Sequence, residues 1–344
     1  GSIGPSYTDA PVLSSPAADL VASCHDAPMI LLTLLACSPG EPTPPADVDL
    51  SFGAEVARLE IPPARALWVD NTRAFACTGE DGLHVIDLSD PIRPSSEESL
   101  ALPCFDLGGE TGRVHVAAGS MGLQVVHPGN LNILGGYESG TPFTALAVDP
   151  GERQLWLAGS DEESGALRVE GVVTYNAEHL DSNKQAELAA PAATAVAYDR
   201  VGVFVATEDG LLRVLGLNLD ERAQLELPGV VGVGGLRAQD GLLWAALGQD
   251  GLALIDVSDL SAPTLLQHWA DEPAWGLATL GDRLYLGRDE ALAILDITQP
   301  ESAQELGRAE LSGALQPQGI YVVNGLAYSV DEVDGLFLVT SIQE

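Results

Sequence analysis

An apolar-x-apolar element, usually preceded by a glycine-containing turn, recurs along the chain: Leu83-His84-Val85, Leu123-Gln124-Val125, Leu167-Arg168-Val169, Leu212-Arg213-Val214, Leu252-Ala253-Leu254, Leu292-Ala293-Ile294 and Leu336-Phe337-Leu338. Successive elements start 40, 44, 45, 40, 40 and 44 positions apart. A four-stranded propeller blade occupies roughly 40–45 residues, so the spacing predicts seven blades. Some eight residues upstream of each element lies a strand with a ring near its centre: Phe75, His115, Trp156, Phe204, Trp244, Tyr285 and Tyr328. Alternation around these rings, as in Ala74-Phe75-Ala76, marks a strand, and Asp-Gly at 81–82, 209–210, 250–251 and 334–335 marks the turn that follows it. Rings placed regularly in every repeat are expected to pack between blades, His115 among them, rather than to line a ligand site.

The last repeat ends too soon after Leu336 to supply a fourth strand. Ala57-Arg58-Leu59-Glu60-Ile61-Pro62 closely matches Ala223-Gln224-Leu225-Glu226-Leu227-Pro228, the outer strand expected in the fourth blade. The N-terminal strand is therefore expected to complete the seventh blade and remove an open sheet edge. The fold class that follows is all-β: a seven-bladed β-propeller of four-stranded blades over 54–344, closed by its N-terminal strand.

Residues 1–53 read differently, as a flexible leader without periodicity up to Pro28. An apolar run then leads into Leu34-Leu35-Ala36-Cys37, which resembles a bacterial lipobox, and a Pro-rich tether follows through Pro45. The run is too short to span a membrane. The first base in the chain is Arg58, so the positive segment of a secretory leader is lacking. Two readings stay open: lipidation at Cys37, with the membrane reached only through that anchor, or an apolar segment that packs on protein.

Three stretches carry a family resemblance: Leu83-His84-Val85-Ile86-Asp87-Leu88-Ser89-Asp90-Pro91, Leu252-Ala253-Leu254-Ile255-Asp256-Val257-Ser258-Asp259, and Leu292-Ala293-Ile294-Leu295-Asp296-Ile297-Thr298. They resemble the LVIVD repeat of bacterial and archaeal surface-associated proteins. Other blades depart from it, with His127-Pro128, Gly171, Gly216 or Thr340 near the Asp position. The resemblance implies a β-propeller that is exported, to the cell surface or periplasm, and it brings no catalytic residues. The Asp and Ser after the repeat are expected to cap a turn through their side chains.

A formal net charge of −35, with 50 acids against 15 bases of which only Lys184 is lysine, excludes nucleic acid as a partner. The four cysteines, Cys24, Cys37, Cys77 and Cys104, have no zinc spacing. Cys77 and Cys104 fall in neighbouring blades, where a disulfide and two buried thiols are both compatible with the sequence. No phosphate loop, nucleophile elbow, HExxH or EF-hand loop is present, and Gly232-Val233-Gly234-Gly235 reads as a tight inner strand.

The turns between second and third strands are acidic in six of seven blades: Glu80 and Asp81; Asp161, Glu162 and Glu163; Glu208 and Asp209; Asp250; Asp289 and Glu290; Asp331, Glu332 and Asp334. Blade two, with Ser120-Met121, interrupts the series. Equivalent loops project from one face, so these carboxylates are expected to form a rim. The surplus beyond what Asp-Gly turns require suggests a surface for a basic protein partner or for cations, with Ca²⁺ the cation suited to oxygen ligands and no other cofactor indicated. A merely solvated acidic face is the simpler alternative. The functional expectation is an exported, non-enzymatic binding or scaffolding propeller; the rival is a hydrolase or lyase with its site in the central funnel, which a buried cluster of titratable groups there would favour.

Overall fold

The structure, a computed structural model, describes residues 54–342 except 71, 150–152, 162, 177–178, 233–234 and 313–315. The leader with Cys37 lies outside the described residues, as does Glu162 of the rim. The described chain forms seven four-stranded antiparallel sheets and one short 3-10 turn at Pro300–Ser302. Each sheet is a blade. The inner strands are Ala66–Asp70, Asp106–Glu110, Phe143–Asp149, Ala193–Asp199, Leu236–Gln239, Leu277–Leu280 and Pro317–Val323. Each contacts the inner strands of the blades before and after it, and Ala66–Asp70 meets Pro317–Val323 to close the ring.

The blades pack face to face, so a middle strand carries consecutive buried apolar positions rather than every second one, although polar residues such as His84 and Asp87 stand half-buried within it. Leu83, Val85 and Ile86 of the third strand of blade one are wholly buried, and so are Ala74, Phe75 and Ala76 of its second strand. Small residues flank the ring in blade one, whereas Leu155 and Leu157, Val203 and Val205, and Leu284 and Leu286 flank it in blades three, four and six, all of them buried in the close-packed core. All seven rings, His115 included, are at most 2% exposed.

Blade seven consists of Pro317–Val323, Leu326–Asp331, Leu336–Ser341 and, outermost, Glu55–Glu60. The N-terminal strand pairs antiparallel with the last, Leu59 opposite Phe337 and Arg58 opposite Leu338. Its register copies that of blade four: Glu60 pairs with Leu336 as Glu226 pairs with Leu211. Two further backbone bonds, Ile61 N–H to the Gly335 carbonyl and Ser341 N–H to the Ala54 carbonyl, extend this seam.

Blade one has the opposite problem, because its outer strand is only Ser95–Ser96. A disulfide between Cys77 and Cys104, with Cα atoms 4.9 Å apart, together with bridges Leu83 to Leu100 and Gly79 to Cys104, holds the chain where a longer strand would run. Gly82 is required here: its φ is +108°, and a Cβ would lie 2.5 Å from the Leu100 carbonyl oxygen. The Asp-Gly turns are thus real, but at 81–82 and 250–251 they end loops of five residues, not two-residue hairpins. Gly232 and Gly235 also differ from expectation. They lie in the connection that leads into the inner strand of blade five, which starts at Leu236.

Candidate functional site

In an antiparallel blade the turn between second and third strands lies at the same end as the start of the inner strand. The acidic turns therefore surround one mouth of the central channel, and the connections from each outer strand to the next inner strand share that face. Glu80, Asp81, Glu163, Glu208, Asp209, Asp250, Asp289, Glu290 and Asp334 are exposed there. Asp161 and Glu332 are half-buried and Asp331 is fully buried.

What these carboxylates do divides them. Asp331 accepts the backbone N–H groups of Val333 and Asp334 on Oδ1 and of Gln316 on Oδ2, so it builds its turn and is withdrawn from any binding surface. Asp161 accepts the N–H groups of Glu163 and Ser164 and the Ser164 hydroxyl, which hold its carboxyl below the usual range. Asp209 accepts from the Thr207 hydroxyl and Leu211 N–H and pairs with Arg213 at 3.4 Å. Glu332 pairs with Arg65 at 2.7 Å, and Asp289 accepts from the Trp275 indole at 2.7 Å. Glu80, Asp81, Glu163, Glu208, Asp250, Glu290 and Asp334 form no ion pair among the described residues.

The opposite face is also rich in acids, so their number does not distinguish the two faces. Their use does. Asp87, Asp256 and Asp296 of the LVIVD-like repeats accept the backbone N–H two residues on, from Ser89, Ser258 and Thr298, and Asp87 and Asp256 also accept the Ser hydroxyl. Asp259 repeats the pattern with Ser261. These bonds to the ionised form hold all four carboxyls below the ordinary value. The turn chemistry expected of the repeat is what the structure contains. Asp240, Asp282 and Glu301 on that face remain exposed.

Among the described residues no three His, Cys, Asp or Glu side chains gather as a metal ion would need. His115 is buried with Nε2 3.6 Å from Glu110, and among the described residues no histidine lines the channel cavity.

The channel itself holds a cavity of roughly 260 Å³, lined from six inner strands and from Arg65. Sequence reading missed its charged residues. Asp106 opens the inner strand of blade two and is 7% exposed. Its Oδ1 accepts the Leu107 N–H and its Oδ2 the Leu146 N–H, both at 2.8 Å. Burial raises its pKa to about 6, although those amides and the charges of Arg237 and Arg65 pull it back. Arg237, from blade five across the ring, is half-buried against the cavity and donates Nη1 to the Leu236 carbonyl at 2.7 Å; desolvation lowers its pKa against the opposing field of Asp106. Trp68, Tyr198 and Tyr321 add aromatic walls. Gly109 makes room for one of them, since a Cβ there would stand 2.3 Å from the Trp68 ring.

Fold and channel define a seven-bladed β-propeller closed by its N-terminal strand. An LVIVD repeat model matches residues 240–271, and that match and the seven-bladed ring together fit an LVIVD-repeat propeller family. Among solved structures the chain is similar to the computationally designed Ika8 protein, with 14% identity over 84% of this chain and 100% of that one, at a TM-score of 0.58. It is also similar to the Cps50 (Swd1) β-propeller domain of Myceliophteria thermophila, with 11% identity, 83% and 99% coverage and a TM-score of 0.61. Identities this low speak to the fold alone. No curated protein matches the chain.

Proposed function

We propose that this protein is an exported, non-enzymatic binding propeller that engages a basic partner through the face carrying the acidic turns. The observation that carries this reading is the division of labour among carboxylates. On the opposite face four acids cap turns and Asp240, Asp282 and Glu301 are exposed, whereas around the channel mouth Asp161, Asp209 and Asp331 are held in their turns and seven carboxylates are exposed and form no ion pair among the described residues. Carboxylates left in this way raise the local concentration of cations and speed association with a cationic surface.

Export is supported by the Cys77–Cys104 disulfide, a bond that persists in oxidising compartments, and by the lipobox-like Leu34-Leu35-Ala36-Cys37. If Cys37 is lipidated, the native gene expressed in a bacterium places the protein in the detergent fraction and Cys37→Ser releases it. Equal partitioning of the two forms rules the anchor out.

The face is tested with decalysine as the probe. Substituting Glu80, Glu163, Glu208 and Glu290 with Gln and Asp81, Asp250 and Asp334 with Asn is expected to weaken its binding at least tenfold, while Asp240→Asn, Asp282→Asn and Glu301→Gln together leave it nearly unchanged. Losses in proportion to the charges removed, seven against three, would mean that only net charge matters, and the reading would fall. Calcium at matched ionic strength serves as the second probe: specific saturable binding that the first variant loses assigns the rim to a divalent cation instead.

The enzyme reading draws on one observation, Asp106, a buried carboxyl with its pKa near the pH at which general acids work. Both its oxygens are already tied to backbone amides, which favours an architectural role. Loss of a hydrolase or lyase activity in Asp106→Asn, with the fold intact, would reverse that preference.

A further inference from the structure

We propose that the central channel is a binding site for a small zwitterion with an apolar body, of the class of aliphatic α-amino acids, independent of the acidic rim. The cavity of roughly 260 Å³ lies near the lower end of the ~300–1,000 Å³ typical of small-molecule sites, which limits the occupant to a small molecule. Its wall carries charge of both signs. Asp106 from blade two and Arg237 from blade five stand on opposing arcs of the ring and feel each other's charge. Between them the wall is apolar, with Leu146, Val196 and Ile320 beside the rings of Trp68, Tyr198 and Tyr321.

Ligand charge is set by two constraints. An anion would have to pass a mouth surrounded by exposed carboxylates on a protein of net charge −35, and would then meet Asp106. A cation would be drawn to the mouth but would face Arg237 inside. A molecule with no net charge is not repelled at the entrance, and one bearing both an ammonium and a carboxylate satisfies both walls. The Asp106 carboxylate has about four acceptor positions and spends two on the Leu107 and Leu146 amides, so an ammonium can add to it without breaking those bonds. The guanidinium of Arg237 donates Nη1 to the Leu236 carbonyl at 2.7 Å, and with five N–H donors in a planar fork it can take a ligand carboxylate beside that bond. Arg65 also lines the cavity, and its charge, which reaches Asp106, is offset by its pair with Glu332 at 2.7 Å.

The test uses the full chain and three probes: L-leucine, L-leucinamide, which lacks the carboxylate, and N-acetyl-L-leucine, which lacks the ammonium. Calorimetric titration and the shift in melting temperature should show L-leucine binding at least tenfold more tightly than either half-ligand. Arg237→Gln should remove the preference for L-leucine over the amide and leave the preference over the acetylated acid. Asp106→Asn should do the reverse. Because each variant is read as a ratio between two probes, partial destabilisation does not obscure the result. N-acetyl-L-leucine binding as well as L-leucine would make this a plain anion site and overturn the proposal. If none of the three binds to wild type, the Asp106 and Arg237 pair is architectural and the proposal is equally overturned. Neither outcome bears on decalysine binding at the rim.

Discussion

The Leu146 backbone N–H donates to Asp106 Oδ2 at 2.8 Å, so a carboxylate from the inner strand of blade two holds the inner strand of blade three. Asp106 is buried, and its pKa lies at about 6 when folded against an ordinary 3.8. An acid whose folded pKa is raised binds its proton more tightly when folded. It therefore adds stability as pH falls from about 6 towards 3.8, and its ionisation subtracts stability above that window. Two pKa units correspond to on the order of 3 kcal/mol. Chemical denaturation of wild type and Asp106→Asn between pH 4 and 7 should diverge by an amount of that order, with wild type gaining relative to the variant as the solution is acidified. Parallel profiles would show that Asp106 titrates like a surface carboxylate. The comparison must be a difference, because capping acids such as Asp87 and Asp256, whose pKa values are lowered, lose stability in the same direction of titration in both proteins.

Deleting residues 54–62 removes the strand that pairs with Leu336–Ser341 and the buried Ile61. Loss of a side chain like Ile61 alone costs about 2–5 kcal/mol, and the exposed edge adds unpaired amides open to another chain. The truncated protein should melt markedly lower and aggregate on heating in a light-scattering assay. A melting curve unchanged from full length would mean that the ring does not depend on this seam.

The repeats and the closing strand were legible because they are local patterns with a fixed pitch, and because Ala57 to Pro62 spells out an outer strand seen again at Ala223 to Pro228. The channel pair was not. Asp106 and Arg237 belong to different blades and meet only when the ring closes, and nothing around either marks it as interior. On the rim, Asp331 and Glu332 look alike in sequence. Only the turn geometry decides that Asp331 turns inward to three backbone amides while Glu332 reaches outward to Arg65. The disulfide was one of two readings for Cys77 and Cys104 until the short Ser95–Ser96 strand brought the connection to Cys104 beside the second strand of blade one.

That disulfide spans a sequence separation of 27 residues. Constraining a loop of this size in the unfolded chain is worth about 3–4 kcal/mol on the chain-entropy account. Cys77→Ala combined with Cys104→Ala, or reduction of wild type, should lower the denaturation midpoint accordingly. Hydrogen exchange should quicken most in residues 78–104, where Leu83 and Leu100 form one of the few ladder contacts outside the short outer strand. Exchange rates raised evenly over all seven blades would contradict a local role.

Two rim acids allow a sharp contrast, because their turns use them in opposite ways. Asp331 is wholly buried and accepts three backbone N–H bonds, so Asp331→Ala leaves three donors without their acceptor. Each buried unsatisfied donor costs about 1–3 kcal/mol, and a loss of at least about 3 kcal/mol is expected. Glu290 is exposed and sits in the two-residue turn between Arg283–Arg288 and Ala291–Asp296 with φ +56°, a left-handed conformation that a side chain strains. Glu290→Gly relieves that strain but gives the unfolded chain more freedom, and the first effect outweighs the second by a few tenths to about 1 kcal/mol where φ is positive. Urea midpoints should therefore move in opposite directions, far down for Asp331→Ala and slightly up for Glu290→Gly. If Asp331→Ala is as stable as wild type, the carboxylate is a surface group after all, and it returns to the set of rim acids open to a partner.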